Sequence, residues 1–312
     1  MILVTGGTGF VGRALVRQLV AAGLPVRTLI RPSAKTPNLP RGVPLEVAVA
    51  ALNDERGLRA AMSGVDVIFH LAGAEHQGAE SDLFNTDIKG TETLSRTAAE
   101  LGIRRLFYVS HLSADRASAF PLFKAKGIAE EHIRRSGVPF SIFRAAILYG
   151  PEDHFTSSLA GLIGLSPVIF TPSRSDTLLQ PLWVEDLVTC MVWSLDNEAT
   201  IGQTYEVGGG EFFTVREVMD IVMNTTRKRR ILLPLAMPYL RALTVAVESW
   251  YPGFPSSVFW LDYISVNRTC PVDSVPRQFG LLPARFAYRL DHLKSVNWGR
   301  RARQRIRESR HA

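Results

Sequence analysis

MILVTGGTGFVG, residues 1–12, reads as a strand running straight into a glycine turn. Ile2, Leu3, Val4 and Thr5 are apolar or β-branched with no polar alternation, the pattern of a short strand buried on both faces. Gly6, Gly9 and Gly12 follow at intervals of three. Beyond them Val11, Ala14, Leu15, Gln18, Leu19 and Ala22 recur at helical spacing, and Gly23 is placed to end that helix. A turn without side chains lets backbone N–H groups approach a pyrophosphate, and the positive end of the helix dipole points at it. A glycine triplet alone is a weak signal, but between a strand and a helix it predicts a dinucleotide-binding turn built from Gly6, Gly7, Thr8, Gly9, Phe10, Val11 and Gly12.

Outward from this turn, strands and helices alternate. Pro25 to Ile30 reads as a second strand ending at Arg31, and no carboxylate lies between Pro25 and Leu45. An acidic residue at this strand end suits the ribose hydroxyls of NAD, whereas an arginine suits the extra phosphate of NADP. Arg31, with Lys35 close by, therefore favours NADP(H), with NAD(H) the weaker alternative. Leu45 to Ala51 is a third strand and Asp54 to Met62 a short helix capped by Asn53 or Asp54. Residues 65–73 form a fourth strand whose small-residue end, Leu71-Ala72-Gly73, can lie against a cofactor ribose. His70 inside that strand reads as a core histidine. A helix over Asp87 to Leu101 and a strand over Arg105 to Ser110 complete the pattern of an α/β, Rossmann-type doubly wound parallel sheet.

Composition narrows the class. The 312 residues are 46 % hydrophobic, enough for a sizeable core. Cys190 and Cys270 have neither metal-ligand spacing nor a disulfide framework, which fits a reducing, cytoplasmic setting; no metal site is expected. With the first strand beginning at residue 2, no secretory signal is read. The net charge of +7 is local: residues 299–312 and 227–230 hold the excess, and the remainder sums to −2. A nucleic-acid-binding body is thereby excluded. The arginine-rich tail is either a solvated surface or a peripheral contact with a membrane or a membrane complex.

TGGTGFVG, FHLAG at 69–73, DIKGT at 87–91, YVSHLSA at 108–114, FKAKGIAEEHIRRSGVPFSIFR at 123–144, YGPED at 149–153 and PLWVEDL at 181–187 resemble, in order and spacing, the extended short-chain dehydrogenase/reductases. The VSHL segment, the lysine helix and NRTCPVDSVPRQFGLLP near the end are most similar to an atypical branch. That branch includes the nucleotide-binding accessory subunit of respiratory complex I, with photosystem-assembly and NmrA-like proteins nearby. The resemblance implies domains of 1–150 for the nucleotide, with a returning segment near 180–210, and 151–312 for a smaller, mostly helical part carrying the basic tail.

In catalytic members a tyrosine and a lysine four residues later share one helix face, with a serine and an asparagine nearby. The phenol exchanges a proton while hydride moves to or from the nicotinamide. By the resemblance the lysine is Lys124, which also holds the nicotinamide ribose, so the tyrosine position is Phe120; the asparagine falls on Asp87, and the serine is Ser110 or Ser113. No tyrosine in the chain has a lysine four residues on. His111 is a candidate replacement acid, because imidazole titrates in the useful range, and Tyr149 is a second, more naturally a packing residue. Asp186 is expected to cap the helix after residue 183, and Thr214 to cap one beginning at Val215. Residues 231–264 are apolar and proline-broken: either a lid over a substrate cleft or an amphipathic docking surface. Two functions stay open, an NADP(H)-dependent oxidoreductase or epimerase/dehydratase acting on a small molecule, and a non-catalytic nucleotide-binding assembly factor, accessory subunit or redox sensor.

Overall fold

A computed structural model describes residues 1–33, 39, 42–74, 82–173, 176–251 and 253–309. In chain order the elements run β1 (Ile2–Thr5), α1 (Phe10–Ala21), β2 (Val26–Ile30), β3 (Glu46–Val49), α2 (Glu55–Ala61), β4 (Val67–His70), a π-helical turn (Phe84–Lys89) continuing into α3 (Gly90–Glu100), β5 (Arg105–His111), α4 (Pro121–Ser136) and β6 (Phe140–Ala145). There follow β7 (Leu148–Tyr149), α5 (Thr156–Leu165), β8 (Val168–Pro172), β9 (Leu178–Leu179), β10 (Leu182–Trp183), α6 (Val184–Trp193), β11 (Gln203–Val207), β12 (Phe213–Thr214) and α7 (Val215–Thr225). The chain closes with β13 (Ile231–Leu235), α8 (Met237–Trp250), α9 (Val258–Tyr263), α10 (Ser274–Phe279) and α11 (Trp298–Ser309).

Two compact units result. The first comprises Met1–Ala145, Val184–Val207 and Ser274–Leu281; the second comprises Ala146–Trp183, Gly208–Asp273 and the chain from Leu282 on. The division falls at 145 rather than 150, and the return at 274–281 has no counterpart in the sequence reading. It is Phe279 that draws this segment in, its ring 5.9 Å from Phe143 and 5.1 Å from Tyr205.

In the first unit seven parallel strands stand in the order β11-β6-β5-β4-β1-β2-β3. The order reverses between β1 and β4, which pair Ile2 with Val67 and Thr5 with His70. Ligands of open α/β sheets sit in the crevice outside the strand ends at such a switch point. Both faces of the sheet are covered. One face carries Leu3, Ile68, Leu106, Tyr108 and Ile142 against Leu58, Leu94, Ala129 and Ile133 of α2, α3 and α4. On the other, Phe69 stacks on Phe107 at 4.6 Å and Phe107 on Phe143 at 6.4 Å. Each aromatic pair adds about 0.5–1.5 kcal/mol beyond its buried area.

Helix ends follow local chemistry. Asp54 caps α2 by accepting from the Gly57 N–H at 3.0 Å. Thr214 and Glu217 form a reciprocal capping box at α7. Asp186 is not a cap: α6 begins at Val184, and Asp186 lies in its first turn, where a carboxylate still suits the dipole.

Candidate functional site

At the switch point the three glycines do different work. Gly6 has φ +72°, and a Cβ there would lie 2.7 Å from the Ala72 nitrogen and the Leu71 carbonyl carbon. It needs both the left-handed backbone and the missing side chain, because β1 and β4 leave no room between their ends. A Cβ on Gly12 would lie 2.1 Å from the Gly6 oxygen and 2.7 Å from the Gly7 Cα, so the third glycine seats α1 on the turn. Gly9 differs. Its φ is −76°, it is exposed as the N-cap of α1, and a Cβ would meet only the Gly6 oxygen, at 3.2 Å. The fold does not demand glycine at this position, whereas a pyrophosphate approaching the helix N-terminus does.

The residues therefore fit a dinucleotide. Gly7 is buried, and a Cβ there would lie 2.7 Å from Thr28 Cγ2; the Thr8 carbonyl accepts from Arg13 at 2.5 Å, which steadies the turn. Phe10 and Val11 begin α1, both half-buried. Arg31 is exposed one residue past β2. Lys35 lies outside the described residues. Leu71, Ala72 and Gly73 continue from β4 beside Gly6, with Ala72 N–H donating to Thr5 Oγ1 at 3.4 Å.

His70 locks these strand ends together. Thr5 Oγ1 lies 2.7 Å from its Nδ1 and Thr91 Oγ1 lies 2.9 Å from its Nε2, so both ring nitrogens are satisfied. Burial, helped by the nearby Lys126 ammonium, pushes its pKa down to about 3. Because the folded value is depressed below that of the unfolded chain, the neutral ring's contribution is fully present above about pH 6.5 and fades as pH falls toward 3. The loss is at most about 1.4 kcal/mol per pH unit in that window. His70→Gln is accordingly expected to flatten the acid side of a pH–stability curve measured by chemical denaturation; an unchanged slope between pH 6 and 4 would contradict the assignment.

Of the two lysines of FKAK, it is Lys126 that α4 buries, while Lys124, the expected site lysine, is exposed. The buried positions of α4 are Leu122, Phe123, Ala125, Lys126, Ala129, Glu130 and Ile133, and Lys124 falls off this stripe into solvent. Lys126 is buried with its Nζ 3.1 Å from Asp87 Oδ1, and a Cβ on Gly73 would touch both groups at 3.0–3.1 Å. Asp87 Oδ2 also accepts from the Ala74 N–H at 3.0 Å. One turn further along α4, buried Glu130 takes two hydrogen bonds from Arg144 of β6 at 3.0 and 2.8 Å, which fixes the rotation of the helix.

Phe120 is likewise displaced from its expected role. It precedes Pro121 as an extended N-cap, outside the helix, so it shares no face with either lysine. Four residues before Lys126 stands Leu122, buried and without a proton to give.

Ser110, one residue before the end of β5, is fully buried, its Oγ without a hydrogen-bond partner among the described residues, while Ser113 is exposed in the following turn at φ +64°. The His111 and Phe123 rings form a T-shaped pair with centroids 5.9 Å apart, and the His111 side chain is half-buried. In the second unit Tyr149 is fully buried between Trp183 and Phe286, with centroids at 5.2 and 4.8 Å. No group of metal-ligating side chains occurs among the described residues. Gly209, in the Gly208-Gly209-Gly210 run after β11, allows a close approach to another segment: a Cβ there would lie 1.9 Å from the Pro181 oxygen.

Residues 6–158 match the family described as NAD(P)H-binding. Sterol demethylase protein B of Methylococcus capsulatus is 37 % identical over 85 % of this chain and 87 % of its own. The mitochondrial NADH dehydrogenase (ubiquinone) 1 alpha subcomplex subunit 9 of Arabidopsis thaliana is 30 % identical over 85 % of this chain and 69 % of its own. Ceramide reductase of Caulobacter vibrioides is 26 % identical over 96 % of both. The fold is that of UDP-glucose 4-epimerase from Thermus thermophilus, solved with NAD: TM-score 0.62, 24 % identity, 75 % of this chain and 86 % of that one. Glycine cradle, switch point and relatives agree, and the chain belongs to the NAD(P)H-binding, atypical branch of the extended short-chain dehydrogenase/reductases, within the epimerase/dehydratase superfamily.

Proposed function

We propose that this protein is an NADP(H)-preferring oxidoreductase that moves hydride to or from an apolar, lipid-like carbonyl or alcohol, without a tyrosine as its acid. The observation that carries this reading is the buried Asp87–Lys126 pair. Desolvating an ammonium and a carboxylate costs several kcal/mol per ion, and apolar side chains of similar volume often serve stability as well or better. A chain that only had to grip a pyrophosphate would gain nothing from the pair, whereas an ammonium beside Gly73 can hold a nicotinamide ribose. Bound nucleotide would supply the hydride to a carbonyl, or accept it from an alcohol. Lys126 orients the ribose, Asp87 holds Lys126, and His111 and Ser110 are the remaining candidates to carry the proton. Two relatives, named for a sterol and a ceramide, support an apolar substrate. Cys190 and Cys270, both buried and joined in no disulfide, suit a reducing, cytoplasmic setting.

A second reading, a nucleotide-holding accessory subunit, assembly factor or redox sensor, is favoured by Leu122 in the phenol's place and by the likeness to the complex I subunit. Turnover separates the two. NADPH oxidation with a panel of sterol and sphingoid ketones, abolished by Lys126→Met, supports the first; tight binding without oxidation of any of them supports the second.

Arg31→Asp tests the nucleotide preference directly. Removing one charge-assisted contact of about 1.5–3 kcal/mol and adding a carboxylate is expected to shift the NADPH:NADH affinity ratio at least about tenfold toward NADH. An unchanged ratio by calorimetry would remove Arg31 from the site.

A further inference from the structure

Helix α8 is apolar on two sides, and only one is covered. Leu240 and Thr244 are buried, while Tyr239 (70 % exposed), Leu243 (41 %), Ala246 and Trp250 (76 %) form an outward stripe at i, i+4, i+7 and i+11. A helix apolar all round is ordinarily enclosed. β13 leads directly into α8 and presents Ile231 (61 %) and Leu233 (42 %) on one face, with Phe170 (45 %) beside Leu233 on β8. Immediately before β13 stand Arg227, Lys228 and Arg229.

The loop after α8 rests on the last turn of α11: a Cβ on Gly253 would lie 2.4 Å from Ser309 Oγ and 3.1 Å from the Arg305 oxygen. This brings the Trp250 end of α8 beside the arginine helix. Along the exposed side of that helix Asn297, Arg300, Arg303, Gln304 and Arg307 line a shallow open basin of about 690 Å³. Nearby carboxylates are engaged, Asp262 with Arg241, Glu248 with the Val258 N–H, and Glu308 with Gln304.

We infer that this face docks on an anionic lipid bilayer, with Trp250, Tyr239 and Leu243 at the headgroup boundary and the α11 arginines on lipid phosphates. The pairing of exposed aromatic and aliphatic side chains with a cationic flank is the physical signature of a helix lying in the interface. No described helix is long and apolar enough to cross a membrane, so the contact is peripheral. Charge complementarity selects the occupant: a second copy would set arginine against arginine, whereas a leaflet rich in acidic lipid is attractive to each.

The test is flotation of the full chain with phosphatidylcholine vesicles, with and without a third of phosphatidylglycerol, at low and physiological salt. Binding is expected only with phosphatidylglycerol, weakened by salt, with a blue shift of tryptophan emission that Trp250→Ser removes. Arg300→Gln/Arg307→Gln is expected to weaken binding about 25-fold, roughly fivefold for each charge, and Tyr239→Ser/Trp250→Ser to abolish it. All these side chains are exposed and distant in sequence from the glycine turn, so NADPH affinity should not change. The proposal is overturned by no binding to acidic vesicles at low salt, or by binding indifferent to both double variants. It is equally overturned if sedimentation shows a dimer that Tyr239→Ser/Trp250→Ser dissolves, since the stripe is then a self-interface, or if the stripe proves to be covered by an acidic protein while vesicles are ignored.

Discussion

Gly9→Val is expected to weaken NADPH binding by roughly 100-fold or more while shifting the melting temperature of the nucleotide-free protein by only a few degrees. Gly9 has an ordinary backbone conformation and lies exposed, and a Cβ there meets a single protein atom, the Gly6 oxygen at 3.2 Å. The folded chain can accommodate a side chain. A pyrophosphate seated on the first N–H groups of α1 cannot, because branched methyls would occupy its place. Gly12→Ala should do the reverse. Its Cβ would fall 2.1 Å from the Gly6 oxygen and 2.7 Å from the Gly7 Cα, both backbone, so relief requires α1 to move off the turn. The expected cost is about 3 kcal/mol, the upper end for overpacking, seen as a lower melting temperature with or without nucleotide. Calorimetric titration and thermal melts of the two variants give opposite patterns if the cradle is a ligand site. Equal loss of stability in both would mean that Gly9 serves only packing.

The second large effect separates two lysines that stand two places apart. Lys126→Met leaves the Asp87 carboxylate buried without its counter-charge, which should cost about 3–5 kcal/mol of stability. Lys124→Met, on the exposed side of α4, should change stability by less than about 0.5 kcal/mol and leave nucleotide affinity intact. Lys126→Met/Asp87→Leu replaces the pair by apolar groups and should recover most of the lost stability without recovering nucleotide affinity, which isolates the functional part of the pair from its structural part. Denaturant unfolding and NADPH titration on the three proteins decide it. Affinity lost with Lys124 and kept without Lys126 would restore the other register.

Where the sequence speaks locally, it is legible. The strand, the glycine turn and α1 follow from spacing alone, as does the Thr214–Glu217 box, and the α2 cap is narrowed to Asn53 or Asp54, of which Asp54 takes it, because each depends on residues within a few positions of one another. The two lysines of FKAK show what such local reading leaves out. Matching a motif to the first lysine of FKAK overlooks Pro121, which sets the first turn of α4 and leaves Phe120 extended. Counting from Pro121, positions 122, 126, 129, 130 and 133 make one face, and Lys126 lies on it. Two of those five residues are charged, so hydrophobic periodicity could not mark the stripe; their partners, Asp87 and Arg144, come from other elements. The return of 274–281 was hidden for the same reason, since Phe279 finds its ring partners on β6 and β11, far away along the chain. α8 lies in the stretch that the sequence leaves open between a lid and an amphipathic docking surface, and most of its surface is open.

Calorimetric titration of the purified wild-type chain with NADPH and, separately, NADH at physiological salt shows whether the β1 turn and Arg31 hold a phosphorylated nicotinamide dinucleotide. One-site binding of both with NADPH tighter by about tenfold or more is the expected result. Binding of neither would contradict the account.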